Sequence, residues 1–202
     1  MRSQSVVFWE VDTQADFMLP GGALYVPGAE KTLPNLKRLV DAARSGQVLL
    51  VSSVCHHTTD DPEFKIFAPH CIGDTPGARI VSEGLAEDSL RVPNGPKFDW
   101  PRDFDSCQQI IFEKQKLDVF TNPQADVLAE RLGDVRYVMF GVVTEYCVGL
   151  AAKGLLRRGH RVSLVKDAIE TLNQKAGNGT LDELKVLGAD LISTDEALVL
   201  VA

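Results

Sequence analysis

The sequence predicts a three-layer α/β sandwich: a six-stranded, mainly parallel sheet with helices on both faces. Three observations carry that expectation. Short runs rich in Val, Ile, Leu and aromatic residues are apolar at consecutive positions, as strands buried on both faces are. Between them lie segments whose apolar residues recur at helical spacing. The two kinds alternate along the 202 residues, the order that a parallel sheet with helical crossovers requires. No internal repeat, low-complexity tract or Ser/Gly linker interrupts them, so one domain over 1–202 is expected.

The first strand is the β-branched run Val6 to Val11. Leu33, Leu36, Leu39, Val40 and Ala43 follow at helical spacing, with Gly46 placed to end that helix. Val48 to Val54 reads as a second buried strand and Gln109 to Phe112 as a third. Asn122-Pro123 has the form of an N-cap followed by proline at the first helical position, and Gly133 closes the helix. Tyr137 to Val142 is the fourth strand; Val148, Ala151, Ala152 and Leu155 then share one helical face before Gly159. Arg161 to Val165 is the fifth, and a helix from about Thr180 to Leu187, closed by Gly188, leads to the sixth at Asp190 to Ser193 and a last short helix. The stretch Thr58 to Asp105 is too long for a plain connection, and loops of that size tend to be lids or binding loops.

Composition excludes several function classes. An apolar fraction of 45% with 24% charged residues is that of a globular chain. A net charge of -7 opposes attraction to phosphate backbones and anionic lipid, so neither nucleic acid nor membrane is expected as a partner. The longest apolar run, Tyr137 to Val143, is far below the ~18 residues of a membrane span. The start lacks the apolar middle and small-residue cleavage site of a signal peptide, so a cytoplasmic location is expected. The cysteines Cys55, Cys71, Cys107 and Cys147 show no close pairing and read as free thiols or ligands.

In parallel α/β sheets ligands bind outside the carboxyl ends of the strands, so polar residues following each strand are the first candidates. Cys147 sits in Gly-Val-Val-Thr-Glu-Tyr-Cys near a helix start, where the dipole and free amides would lower a thiol pKa and hold an oxyanion. Asp12 leaves the first strand and could serve it as a base; Lys114, with Lys116 the register alternative, leaves the third. The plain readings are a core thiol, a turn cap and a solvated lysine. In CHHTTDDPEF, from Cys55, with His70 further on, the side chains suit Zn²⁺ or another first-row metal with open positions; the plain reading is loop histidines satisfied by backbone.

These residues also resemble a known family. VDTQADFMLPGGALYVPGAE from Val11, FAPHCIGDTPGA from Phe67 and GVVTEYCV from Gly141 are similar to motifs of the isochorismatase-like cysteine hydrolases, and most of all to the nicotinamidases among them. The resemblance implies Asp12, Lys114 and Cys147 as catalytic residues, and Lys114 lies six residues before Phe120, which favours it over Lys116. It implies a cis peptide between Val142 and Val143, with amides of Val143 and Cys147 receiving an oxyanion. Phe17 and Trp100 are the expected pocket walls. The family's metal ligands are an Asp-x-His pair and a later His; here Cys55 stands in the Asp position, with His57 and His70 in the others and His56 an alternative. A divalent metal is therefore expected, with thiolate shifting the preference towards zinc, unless the site has been lost. Hydrolysis of nicotinamide to nicotinate and ammonia, in a homo-oligomer, is what the resemblance implies. The alternatives are a ureido, carbamoyl or maleamate-type amide as substrate, or a non-catalytic thiol-based binding or redox module.

Overall fold

The computed structural model describes residues 5–202. Its sheet has seven strands, all parallel: β1 Val6–Val11, β2 Leu49–Cys55, β3 Ser89–Val92, β4 Gln109–Lys114, β5 Arg136–Gly141, β6 Arg161–Ile169 and β7 Asp190–Ile192, in the spatial order β3-β4-β2-β1-β5-β6-β7. The strand beyond the expected six is β3, inside the long segment between β2 and β4. Its four residues, Ser-Leu-Arg-Val, are partly exposed at the sheet edge and carry no continuous apolar run, so the buried-strand pattern does not reveal it.

The helices are α1 Ala15–Met18, α2 Leu33–Arg44, α3 Gln124–Leu132, α4 Gly149–Arg157, α5 Gln174–Val186 and α6 Thr194–Val199. Alternate residues of β1 divide the core. Val7, Trp9 and Val11 pack with Leu128 of α3, Leu155 of α4 and Leu184 of α5. Val6 and Phe8 pack with α1, α2 and α6 through Met18, Leu36, Leu39 and Ala197. The Asn122 carboxamide accepts from the Gln124 amide at 3.0 Å and so caps α3 from one residue before Pro123. α5 begins at Gln174, earlier than its apolar spacing indicates, because Asn173 caps it by accepting from Ala176 N.

Two consequences of this order position the site. The chain leaves β1 for β2 on one side and returns to β5 on the other, so the crevice between the ends of β1 and β5 is the topological switch point. The register then aligns the strand ends: Cys55 is paired with Lys114, and Val11 with both Ser53 and Gly141. Gly141 has φ +113°, and a Cβ there would lie 2.1 Å from the Val11 carbonyl oxygen, so only glycine lets β5 end this close to β1.

Candidate active site

Asp12, Lys114 and Cys147 converge at the strand rim. Asp12 follows β1 with a left-handed backbone, φ +50°. Lys114 is the last residue of β4 and is fully buried. Cys147 lies in the tight turn Thr144–Val148 between β5 and α4. The Lys114 ammonium Nζ donates to Asp12 Oδ2 at 2.9 Å, Cys55 Sγ at 3.0 Å and Cys147 Sγ at 3.5 Å. Its three N–H groups thus have three acceptors. Among the described residues Asp12 Oδ1 is buried without a hydrogen-bond partner, an acceptor left open for a proton. Lys116, by contrast, is exposed.

The electrostatics differ from the expectation of a thiol activated by a helix terminus. Burial, followed by the nearby Asp12 charge, holds the Cys147 thiol well above its ordinary pKa, and Lys114 only partly opposes them. Cys147 therefore rests as a protonated thiol. Burial would depress Lys114, but the charges of Asp12, Cys147 and Cys55 outweigh it and hold the amine firmly protonated. Cys55 is pushed up to about 12, by burial first and by Asp12 second.

A cavity of about 380 Å³, open mouth included, rises from Asp12, Cys55 and Cys147. Its walls are mostly apolar: Phe17, Leu24, Phe67, Leu117, Tyr146 and Leu172, with Val142 and Val143 at the base and Glu63 and His70 on one side. The Val142–Val143 peptide is cis. Phe17 thus lies where a pocket wall is expected, and Trp100 does not. The Trp100 indole is held on the α3 face, where Nε1 donates to Gln124 Oε1 at 2.9 Å, Arg131 lies 5.5 Å over the ring, and Phe98, Phe104 and Phe112 surround it. Segment length marked its loop as functional, but this portion of the loop serves the core.

The other portion supplies a candidate metal centre. Ligand atoms of Cys55, His57 and His70 all lie within 4.8 Å of one another. Each imidazole is oriented through Nδ1: His57 pairs with Asp61 Oδ2 at 2.9 Å and His70 with the Ala68 carbonyl at 2.8 Å. That leaves both Nε2 atoms directed to the same space, and among the described residues His57 Nε2 is buried without a partner. Second-sphere acceptors on Nδ1 with an orphaned Nε2 fit a metal. Burial also lowers the pKa of His70, which favours the neutral, ligating form. His56 points elsewhere, towards Glu113 at 3.7 Å. Glu63, which sequence reasoning missed, places Oε1 3.9 Å from both His57 Nε2 and His70 Nε2. The acidic residues in DDPEF were the only signal for it.

A Cys, a Lys and an Asp thus meet at the switch point of a parallel sheet, beside a His/His/Cys cluster. Residues 7–196 match the isochorismatase domain family, and the chain belongs to it. Streptothricin hydrolase from Streptomyces noursei is 31% identical over 173 residues, covering 85% of this chain and 57% of that protein. The chain spans about half the length of the curated relatives it matches. Among solved structures, the pyrazinamidase of Pyrococcus horikoshii in complex with zinc is 26% identical at a TM-score of 0.75, over 94% of this chain and 99% of that one. The nicotinamidase of Bacillus subtilis shares the fold, with 20% identity and a TM-score of 0.75 over 94% of this chain and 100% of that one. Among the described residues no helix is long and apolar enough to cross a membrane.

Proposed function

We propose that this chain is a nicotinamidase-like amidohydrolase that cleaves the C–N bond of a small, flat, uncharged amide through a thioester at Cys147, with nicotinamide the favoured substrate. The observation that carries this reading is the convergence of Cys147, Asp12 and Lys114 at the foot of an apolar cavity. Asp12 takes the Cys147 proton at its open Oδ1, and sulfur adds to the amide carbonyl. The amides of Val143 and Cys147 receive the carbonyl oxygen as it gains charge. As the C–N bond breaks, Asp12 returns the proton to the departing ammonia. It next takes a proton from water, which adds to the thioester and releases the acid and the free thiol. Lys114 stays protonated and keeps carboxylate and sulfur together throughout.

Cys55, His57 and His70, with Glu63 beside them, are the residues that would hold a divalent metal, zinc by the softness of the thiolate. When bound it supplies a Lewis-acid contact for an acceptor of the substrate, such as a ring nitrogen. Among the described residues the cavity lining includes no arginine, and the one lysine at its foot is already shared by Asp12 and two sulfurs, so no cationic side chain there is free to pair with a substrate carboxylate. This disfavours maleamate-type amides and supports an uncharged ring. As expected for the family resemblance, the working form is a homo-oligomer in the cytoplasm.

The test is ammonia release by zinc-loaded protein from nicotinamide, benzamide, a ureido amide, a maleamate and streptothricin, with Cys147→Ala as control. Nicotinamide should turn over fastest and benzamide poorly. Release from a ureido or maleamate substrate alone would replace the substrate assignment, and release from none would return the chain to a thiol-based binding module.

A further inference from the structure

Glu10 is a fully buried carboxyl group one residue before the end of the central strand, among Val and Trp neighbours in the chain. Such a group is kept only where partners offset its desolvation. Here every neighbour donates: Thr13 Oγ1 to Glu10 Oε1 at 2.6 Å, Ser52 Oγ to Oε2 at 2.7 Å and Gln109 Nε2 to Oε2 at 3.2 Å. Gln109 continues outward, donating to the Gly84 carbonyl at 2.9 Å and accepting from Ala86 N at 2.8 Å. The packing leaves no slack, because a Cβ on Gly84 would stand 2.2 Å from Glu10 Oε1.

What this cluster flanks is Asp12. A left-handed backbone at a non-glycine residue is disfavoured and persists only where its surroundings hold it. The chain is secured on both sides of the bend. Asp12 N donates to the Ser53 carbonyl at 2.8 Å, and the Thr13 carbonyl accepts from Val81 N at 2.9 Å. The Glu10–Thr13 side-chain bond spans the bend itself. We propose that Glu10 is a positioning residue of the active site: through the Thr13 hydroxyl it holds the left-handed turn that aims the Asp12 carboxylate at Lys114 and Cys147. This rests on the reading of Asp12 as the base.

The test compares the loss of two hydroxyl groups that donate to the same carboxylate. Thr13→Val cuts the link that spans Asp12, whereas Ser52→Ala cuts a link that does not. Both should lower the urea midpoint. Only Thr13→Val should lower kcat, by roughly tenfold to a hundredfold for a displaced base, with KM within about twofold of wild type. Thr13→Ser, which retains the hydroxyl, should restore kcat. Should Thr13→Val not fold, Thr13→Ala against Ser52→Ala gives the same comparison. Equal kcat in the two arms would reduce Glu10 to a core residue and overturn the proposal. If wild type releases ammonia from no amide, the functional reading fails separately. The rate of Cys147 alkylation by iodoacetamide then decides: a change confined to the Thr13 arm supports positioning, and equal rates overturn it.

Discussion

Replacing Glu10 by Gln should remove a pH dependence of stability that the wild-type fold carries. Burial raises this carboxyl group from 4.5 to about 7, against the opposing bonds from Ser52 and Thr13, the charge of Arg44 and the bond from Gln109. As pH rises, the unfolded chain loses the Glu10 proton near 4.5, while the folded chain keeps it to about 7. Between those values the folded state binds more protons, so stability falls with rising pH and levels off above the folded value. At about 1.4 kcal/mol per unit, the full shift corresponds to about 3.5 kcal/mol. Urea unfolding of wild type and Glu10→Gln at pH 5 and pH 8 measures it, since other groups cancel in the difference. Wild type should lose about 2.5 kcal/mol more than the variant across that window, because at pH 5 the unfolded chain has already given up most of the Glu10 proton. Parallel losses in the two proteins would show that Glu10 is ionised in the fold at both pH values and that desolvation does not govern it.

Asp12→Asn should leave the fold intact and reduce turnover by roughly 10² to 10⁴, the scale of a general base. Because Lys114 joins Asp12 to Cys147, steady-state kinetics of Asp12→Asn combined with Lys114→Ala should show a loss well short of the product of the two single losses. Cys107→Ala should retain most of the ammonia-release activity, since that thiol lies before β4 at the end opposite the rim, bonded to the carbonyls of Phe104 and Gln109. Elemental analysis of purified protein should find one divalent metal per chain, lost in both His57→Ala and His70→Ala; a metal-free wild type with full amidase activity would remove the metal from the account and favour substrates without a ring nitrogen.

The sheet was legible wherever burial wrote continuous apolar runs. β1 spans Val6–Val11 as its sequence indicates, and β2, β4 and β5 differ from expectation only at their ends. β3 was hidden because Ser89 and Arg91 at the sheet edge face solvent and break any apolar run. Asp12, Lys114 and Cys147 could be read because each leaves a strand at the same end of a parallel sheet, where topology makes distant residues neighbours. Trp100 and Glu63 could not be placed this way. Both lie in the long segment between β2 and β4, where no periodicity says which residues turn to the cavity and which to the core. The protonation of Cys147 was also beyond the sequence, since a helix start favours thiolate while burial against Asp12 opposes it, and only packing decides between them.

The measurement that bears most directly on the covalent mechanism is acid-quench mass spectrometry of the metal-loaded protein during turnover of nicotinamide. A covalent thioester requires a mass increase of one acyl group, confined to the peptide that carries Cys147, present during turnover and gone when substrate is exhausted. Rapid turnover with no adduct on Cys147, persisting in Cys147→Ala, would contradict it.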